Sequence, residues 1–503
     1  MDEQEFVQLL QALLTPDTER VKAATATLNK KYYNSPASLP ALVNILTSNQ
    51  DTGLRQLAAV EARKLVPKHW EAVSANEKTQ IRNNLLQHTF SEETKLVRHS
   101  SSRVVSAIAS IDFEAGEWRD LPSLLMQAAT DQNVKSREAS IHIIFALLEL
   151  LGDFFLENIN DLFQLFSKTL QDPESADVRV NTMDALSRVA MLIDAEDNPK
   201  AVKGFQDLVP TMVKVLKATV DSEDEEHAMN AFEAFQTFLG CDSALLQKHF
   251  GDLVKFMINL AADKDIDDEF RSQALAFLMQ CIRYRKLKIQ GLRMGEELTI
   301  KALEIVTELG DLTADEEDIT PARSALGLLD ILASSLPPSQ VVVPLLKAIG
   351  PYVTSQDPDR RRAGILALGM SVEGAPDFIA TQLKEILPMV LHLLEDPTVK
   401  VRAAALNGVA RLADDLAEDM GKEHAQLLPA LIKNFDTAVK NLQGSEAEEN
   451  LGIIKGSCNA VDSLIEGLEK DDAQKYVSEL VPRFSRAFGH EDFKTKMAAV
   501  GAI

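Results

Sequence analysis

A unit of about 40 residues recurs along this chain, and that constrains the fold more than any other feature. Such a period means stacked supersecondary units, each too small to bury its own apolar face. The clearest copy shows what the unit is. In FIATQLKEILPMVLHLLE, Ile379, Leu383, Ile386, Leu387, Val390, Leu391 and Leu394 fall three or four apart and share one helical face. In the following DPTVKVRAAALNGVARLADDL, Asp396 is placed to cap a second helix and Pro397 sits where a missing N–H costs nothing. Val401, Ala405, Val409 and Leu412 form the second apolar stripe. The unit is a pair of helices, and 503 residues of it exceed what one ordinary core supports.

Two marks repeat with the pairs. An acidic residue at the turn is followed six positions later by Arg, in Glu92/Arg98, Asp131/Arg137, Asp265/Arg271 and Asp396/Arg402, with Asp172/Arg179 one residue longer. The reading is structural: the acid caps its own helix, and the Arg reaches the corresponding acid of the neighbouring unit to form a ladder. The second mark is Leu, Val or Gly before Pro inside the first helix, at Pro40, Pro122, Pro210, Pro351, Pro388, Pro429 and Pro482, where a kink lets the helix follow the array. Helix pairs are expected at about 1–34, 35–74, 75–115, 116–154, 155–197, 198–243, 244–290, 291–336, 337–376, 377–417, 418–471 and 472–503. The expected fold is an all-α, right-handed superhelical solenoid of eleven to twelve helix pairs, continuous because no Gly/Ser-rich linker interrupts it. The sequence ends at MAAVGAI, inside a second helix, so the chain is expected to be truncated at its C-terminal side.

Charge and composition narrow the function. The 52 Lys and Arg against 76 Asp and Glu give a formal net charge of −24, which repels phosphate backbones and favours basic partners over nucleic acid. The cysteines Cys241, Cys281 and Cys458 are far apart, which argues against a disulfide framework or zinc site. No window approaches the apolar run of about 18 residues that a membrane span requires, and the acidic start MDEQEF is unlike a signal peptide, so no membrane role is expected. Phosphate loops, HExxH and nucleophile elbows are missing, so no catalytic residue, metal or cofactor is expected. His69 and His99 read as structural histidines.

Binding is the remaining chemistry. Phe163, Phe166, Phe205, Phe250 and Phe256 read as core, although grooves between adjacent first helices could admit an aromatic-bearing extended peptide. The acidic run Asp315, Glu316, Glu317 and Asp318 is a candidate for steering a Lys/Arg-rich partner, and Glu223, Asp224, Glu225 and Glu226 form a second candidate.

The segment from Thr27 to Val73 resembles the N-terminal domain of importin-beta-family nuclear transport receptors: Tyr32 and Tyr33, a Leu-Pro-Ala-Leu helix, then Arg55, Ala58, Ala62, Lys64, Leu65 and Trp70. VEARKLVPKHW, the run Leu96 to Ser101 and SSLPPSQV at 334–341 resemble the importin-four subfamily. The resemblance implies HEAT repeats and a carrier that shuttles between cytoplasm and nucleus, expected to be monomeric. It implies basic cargo such as ribosomal proteins and histones, docking of phenylalanine-glycine nucleoporins on outer grooves, and cargo release by the GTPase Ran in its GTP state. By the same likeness, residues 1–115 would form the Ran-binding arch through Arg55, Arg63, Lys64, Lys68, Arg98 and Arg103. Residues 116–290 would be middle repeats, 291–336 a repeat whose acidic loop touches Ran or cargo, and 337–503 further repeats. The rival reading is a HEAT-repeat scaffold that assembles a soluble enzyme complex without a transport role.

Overall fold

The computed structural model describes residues 2–310, 319–443, 446–489, 491 and 493–502. These residues contain helices and no strand, and they divide into two compact units, Met1–His249 and Phe250–Ile503. The first unit pairs α1 (Glu3–Leu13) with α2 (Thr18–Thr27), α3 (Ser38–Ser48) with α4 (Thr52–His69), α5 (Ala75–Ser91) with α6 (Lys95–Glu114) and α7 (Leu121–Ala128) with α8 (Val134–Leu150). A short α9 (Gly152–Glu157) leads into α10 (Ile159–Thr169), which pairs with α11 (Ala176–Leu192), and α12 (Pro199–Asp221) pairs with α13 (Glu225–Gly240) ahead of α14 (Ala244–Gln247).

The second unit repeats the scheme. α15 (Phe250–Ala262) pairs with α16 (Asp268–Gly291), α17 (Gly295–Val306) with α18 (Pro321–Ser335), and α19 (Val342–Val353) with α20 (Pro358–Ser371). Short α21 (Pro376–Thr381) precedes α22 (Leu383–Leu394) and its partner α23 (Val399–Asp415); short α24 (Ala417–Lys422) precedes α25 (His424–Lys440) and α26 (Ala447–Glu466). The last pair is α27 (Lys470–Phe488) and α28 (Phe493–Ala502).

Within each unit, from α4 onward, second helices pack on the second helix of the next pair, α4 on α6, α6 on α8, α8 on α11 and α11 on α13, then α16 on α18, α18 on α20, α20 on α23 and α23 on α26. The apolar stripes that predicted the pairs are therefore buried on two sides, as Val401, Ala405, Val409 and Leu412 are in α23. Phe163, Phe166, Phe205 and Phe250 are core residues, while Phe256 is half-buried.

The acid-to-Arg spacing has a more specific cause than capping. In α4, α6, α8, α20 and α23 the Arg guanidinium donates to the two backbone carbonyls six and five residues upstream. Arg137 reaches the oxygens of Asp131 and Gln132 at 3.0 and 2.9 Å, and Arg402 those of Asp396 and Pro397 at 2.8 and 3.3 Å. The true N-caps lie after the acid, at Thr94, Asn133, Ser175 and Thr398. Asp396 holds the turn instead, accepting from the Thr398 N–H at 2.9 Å. One extra residue in the turn explains Asp172/Arg179: Arg179 still donates to the Asp172 carbonyl at 2.6 Å. Asp265/Arg271 follows neither rule, since a longer connection lets Arg271 donate to the Ala261 carbonyl at 2.8 Å.

The ladder between units of the array is real but irregular. Arg55 makes a two-point contact with Glu92 at 3.2 and 3.0 Å, Arg137 with Asp172 at 2.6 and 3.2 Å, and Arg361 with Asp396 at 2.7 and 3.0 Å. Arg98 instead pairs with Glu138 on α8, and Arg271 reaches Glu308 at 2.6 Å. Of the helix prolines, Pro40 and Pro122 sit in the first turn of their helices, whereas Pro210, Pro351, Pro388, Pro429 and Pro482 are interior.

Candidate functional site

The six basic residues picked out near the start separate into two kinds. Arg55 and Arg98 are tied into the ladder and its turn carbonyls, with Arg98 only 5% exposed. Arg63, Lys64 and Lys68 of α4 and Arg103 of α6 are exposed. Lys64 holds Glu61 at 2.6 Å, and Lys68 donates to the Tyr33 carbonyl at 3.2 Å and to Asn34 at 2.8 Å. Both lysines line a cavity of about 500 Å³ with Leu28, Tyr33, Glu61 and Leu65. Burial and the nearby Glu61 carboxylate push the Tyr33 phenol up. His69, buried, meets the Tyr33 carbonyl at 2.8 Å, and His99 stacks on His142 with ring centres 4.5 Å apart. Burial lowers both stacked imidazoles, His142 to about 3, so this pair stays neutral.

In the run Glu223 to Glu226, Asp224 has a local structural role and the three glutamates are exposed. Glu223 occupies the left-handed position after α12, with φ 56°. Asp224 caps α13 and meets His227 Nδ1 at 2.7 Å, while Glu225 and Glu226 fill the first turn, where the helix dipole favours negative charge. Asp315, Glu316, Glu317 and Asp318 lie outside the described residues.

The second unit holds a carboxylate ridge that reading the sequence for charge runs missed. Asp330 on α18, Glu373 just past α20, Asp414 and Asp415 at the end of α23, and Asp462 and Glu466 in the last turns of α26 come from four successive pairs. Burial first, then the charge of the neighbouring carboxylate, raises the pKa of Asp330 through Glu373, of Asp415 through Glu373 and Asp414, and of Asp462 through Glu466 and Asp414. For Asp330 and Asp415, Arg411 offsets this only in part. Asp414, Asp415 and Glu466, in the last turns of α23 and α26, also oppose the helix dipole. Close packing gathers them: a Cβ on Gly374 would lie 2.2 Å from the Ala333 backbone, so only glycine lets the Glu373 turn rest against α18. The signal was present in sequence as acids late in or just past the second helices, but they come singly or as one adjacent pair and form no long run. Asp184 on α11 is similar in the first unit, its pKa raised to about 6 by burial and by Glu233.

Exposed cations on α4 and α6 and the carboxylates of the second unit are the charged features that these paired helices present. Residues 24–91 match the family model described as the importin-beta N-terminal domain, residues 93–256 that of IPO5-like TPR repeats, and residues 358–412 that of a HEAT-like repeat. The chain is 34% identical over 95% of its length to "Probable importin subunit beta-4" of Schizosaccharomyces pombe, covering 43% of that protein. It is 25% identical over 84% of its length to importin-4 of Homo sapiens, covering 40% of it. It thus spans about two fifths of the length of the curated relatives it matches. Among solved structures, Kap121p superimposes with a TM-score of 0.85 at 21% identity, over 100% of this chain and 49% of that one, and marks the fold as a HEAT-repeat solenoid. Kap121p bound to RanGTP superimposes with a TM-score of 0.83 at 21% identity, over 100% of this chain and 48% of that one.

Proposed function

The chain belongs to the importin-beta family, in its importin-4-like group, and from this premise we propose that it is part of a nuclear import receptor that carries basic proteins and yields them to Ran-GTP. The observation that carries the reading is the carboxylate ridge of the second unit, whose members repel one another, with Arg411 compensating only in part. Packed helices lie about 10 Å apart, and an extended chain advances about 3.4 Å per residue. A segment with Lys or Arg at about every third residue therefore meets one carboxylate group after another. Binding it relieves the repulsion among the carboxylates, so the gain comes from charges the fold alone leaves unmatched. Ribosomal proteins and histones are rich in such segments and are the cargo we propose.

Ran-GTP is the proposed partner of residues 1–115, through Arg63, Lys64, Lys68 and Arg103, the exposed members of the basic set. Arg55 and Arg98 support that face from within the ladder. The acidic residues 315–318 are proposed to contact Ran or cargo, and the grooves between first helices to take phenylalanine-glycine nucleoporins as the carrier shuttles between cytoplasm and nucleus. Kap121p has been solved with RanGTP, Nup53p and Pho4p, which supports looking for these kinds of partner here.

Titration of the chain with Ran carrying a non-hydrolysable GTP analogue, against Ran-GDP, tests the reading. GTP-selective binding weakened about tenfold or more by R63E/K64E/R103E is expected. Equal binding of the two nucleotide states, or no binding by a folded chain extended to the relatives' full length, would overturn it and favour the scaffold.

A further inference from the structure

A second surface carries the opposite charge. From Phe270 to Gly295 there is no Asp or Glu, in a chain with 76 of them, and Arg283, Arg285, Lys286, Lys288 and Arg293 crowd the end of this stretch. α16 is not regular there: Arg285 has non-helical φ and ψ of −135° and 31°, with neither proline nor glycine at hand to cause it. The turn of helix beyond the break is pinned on one side only. Ile289 is fully buried, and the Gln340 amide donates to the Gln290 carbonyl at 2.9 Å.

The other side faces solvent with Tyr284 59% and Leu287 75% exposed, flanked by exposed Arg283 and Lys286. After the helix, Arg293 occupies a left-handed conformation, φ 53°, that a glycine would adopt without strain, so the chain keeps a long side chain where the backbone favours none. Among the described residues Arg283, Lys286, Lys288 and Arg293 form no ion pair, whereas the ladder arginines Arg271 and Arg361 of the same unit are paired. Cations at a helix C-terminus suit the dipole. That accounts for charge, and leaves the tyrosine and leucine set between the cations without a role in the fold.

We infer that this end of α16 is a docking site for an acidic polypeptide segment carrying a bulky apolar side chain, with Tyr284 and Leu287 receiving that side chain and Arg283, Lys286, Lys288 and Arg293 pairing its carboxylates. Charge complementarity chooses the occupant: the basic cargo proposed for the ridge is repelled here. A polypeptide fits better than nucleic acid, because the chain's overall charge of −24 repels a long polyanion while a short acidic segment needs only the local field.

The test is fluorescence anisotropy with the full chain and a labelled twelve-residue peptide of Glu and Asp with a central Leu and Phe. Its Lys-for-Glu counterpart and a twelve-nucleotide oligouridylate serve as the other two probes. The acidic peptide should bind and weaken at least tenfold on raising salt from 50 to about 300 mM. It should also weaken at least tenfold in R283E/K286E and severalfold in L287S, with circular dichroism showing that each variant keeps its fold. Acidic-peptide binding indifferent to R283E/K286E, or oligouridylate binding tighter than the peptide, would overturn the assignment. Because the probe, surface and variants differ from those of the Ran and cargo tests, either proposal can fail alone.

Discussion

Within the second unit, the two ends of the same helices treat carboxylates in opposite ways. At the start of α20, Arg361 grips Asp396 of the next turn at two points, and the pair is nearly buried. Against the cost of burial, the turn N–H and the guanidinium hold the Asp396 carboxyl below its ordinary range, and Arg137 does the same for Asp172 in the first unit. At the far ends carboxylate adjoins carboxylate, Glu373 beside Asp330 and Asp415, and Asp414 beside Asp462, and the pKa values of Asp330, Asp415 and Asp462 rise. Matched charge fixes the stacking of helices. Unmatched charge costs the fold something, so the proposed binding ridge is set apart from the ladder by pairing and not by residue type.

The largest effect that would break this contrast is on the ladder. Arg361→Ala leaves Asp396 buried without its cation and should cost about 3 kcal/mol, read as a lower urea midpoint by circular dichroism, with Lys-rich peptide affinity nearly unchanged in the folded protein. If R361A proved as stable as the parent, the ladder would be ornament.

On the ridge the pattern should invert. E373Q/D415N is expected to weaken binding of an extended Lys-rich peptide about tenfold, near 1.4 kcal/mol, in calorimetric titration, while leaving stability equal or slightly higher. A drop in stability with unchanged affinity would make the ridge a structural feature.

Protonation gives the smallest effects and separates the two regions by sign. Asp396 and Asp172, with folded pKa values below their unfolded ones, add stability above the ordinary carboxylate range and lose it as pH falls through the folded values. Asp184, raised to about 6, does the reverse: its ionised form costs stability above that pH, and the cost fades as pH falls towards about 4. D184N should therefore be the more stable protein at pH 7.5, by on the order of 1 kcal/mol after solvent screening, and the gap in thermal midpoint should halve by about pH 5 and close near pH 4. A constant gap would mean that packing, not charge, distinguishes the two.

Much of the fold is legible in the sequence. The 40-residue period and the 3.6-residue stripes determined helix pairs, because an apolar face of that shape has no other stable partner than its like in the next pair. Spacing also picked out the turn arginines and their ladder, but not that each reaches back to the carbonyls of its own turn, which the structure showed. What the sequence could not decide was which charges are matched. Arg98 and Arg103 stand about a turn and a half apart on α6, yet the first is clasped by Glu138 and the second is exposed. The consecutive acids of 223–226 drew attention and serve a turn and a helix start, whereas the ridge is assembled from acids in four separate pairs. Helical period is a local property, written in each stretch of chain. Electrostatic pairing joins side chains 35 or 40 residues apart in the chain, and only the stacking of one helix on the next sets the distance between them.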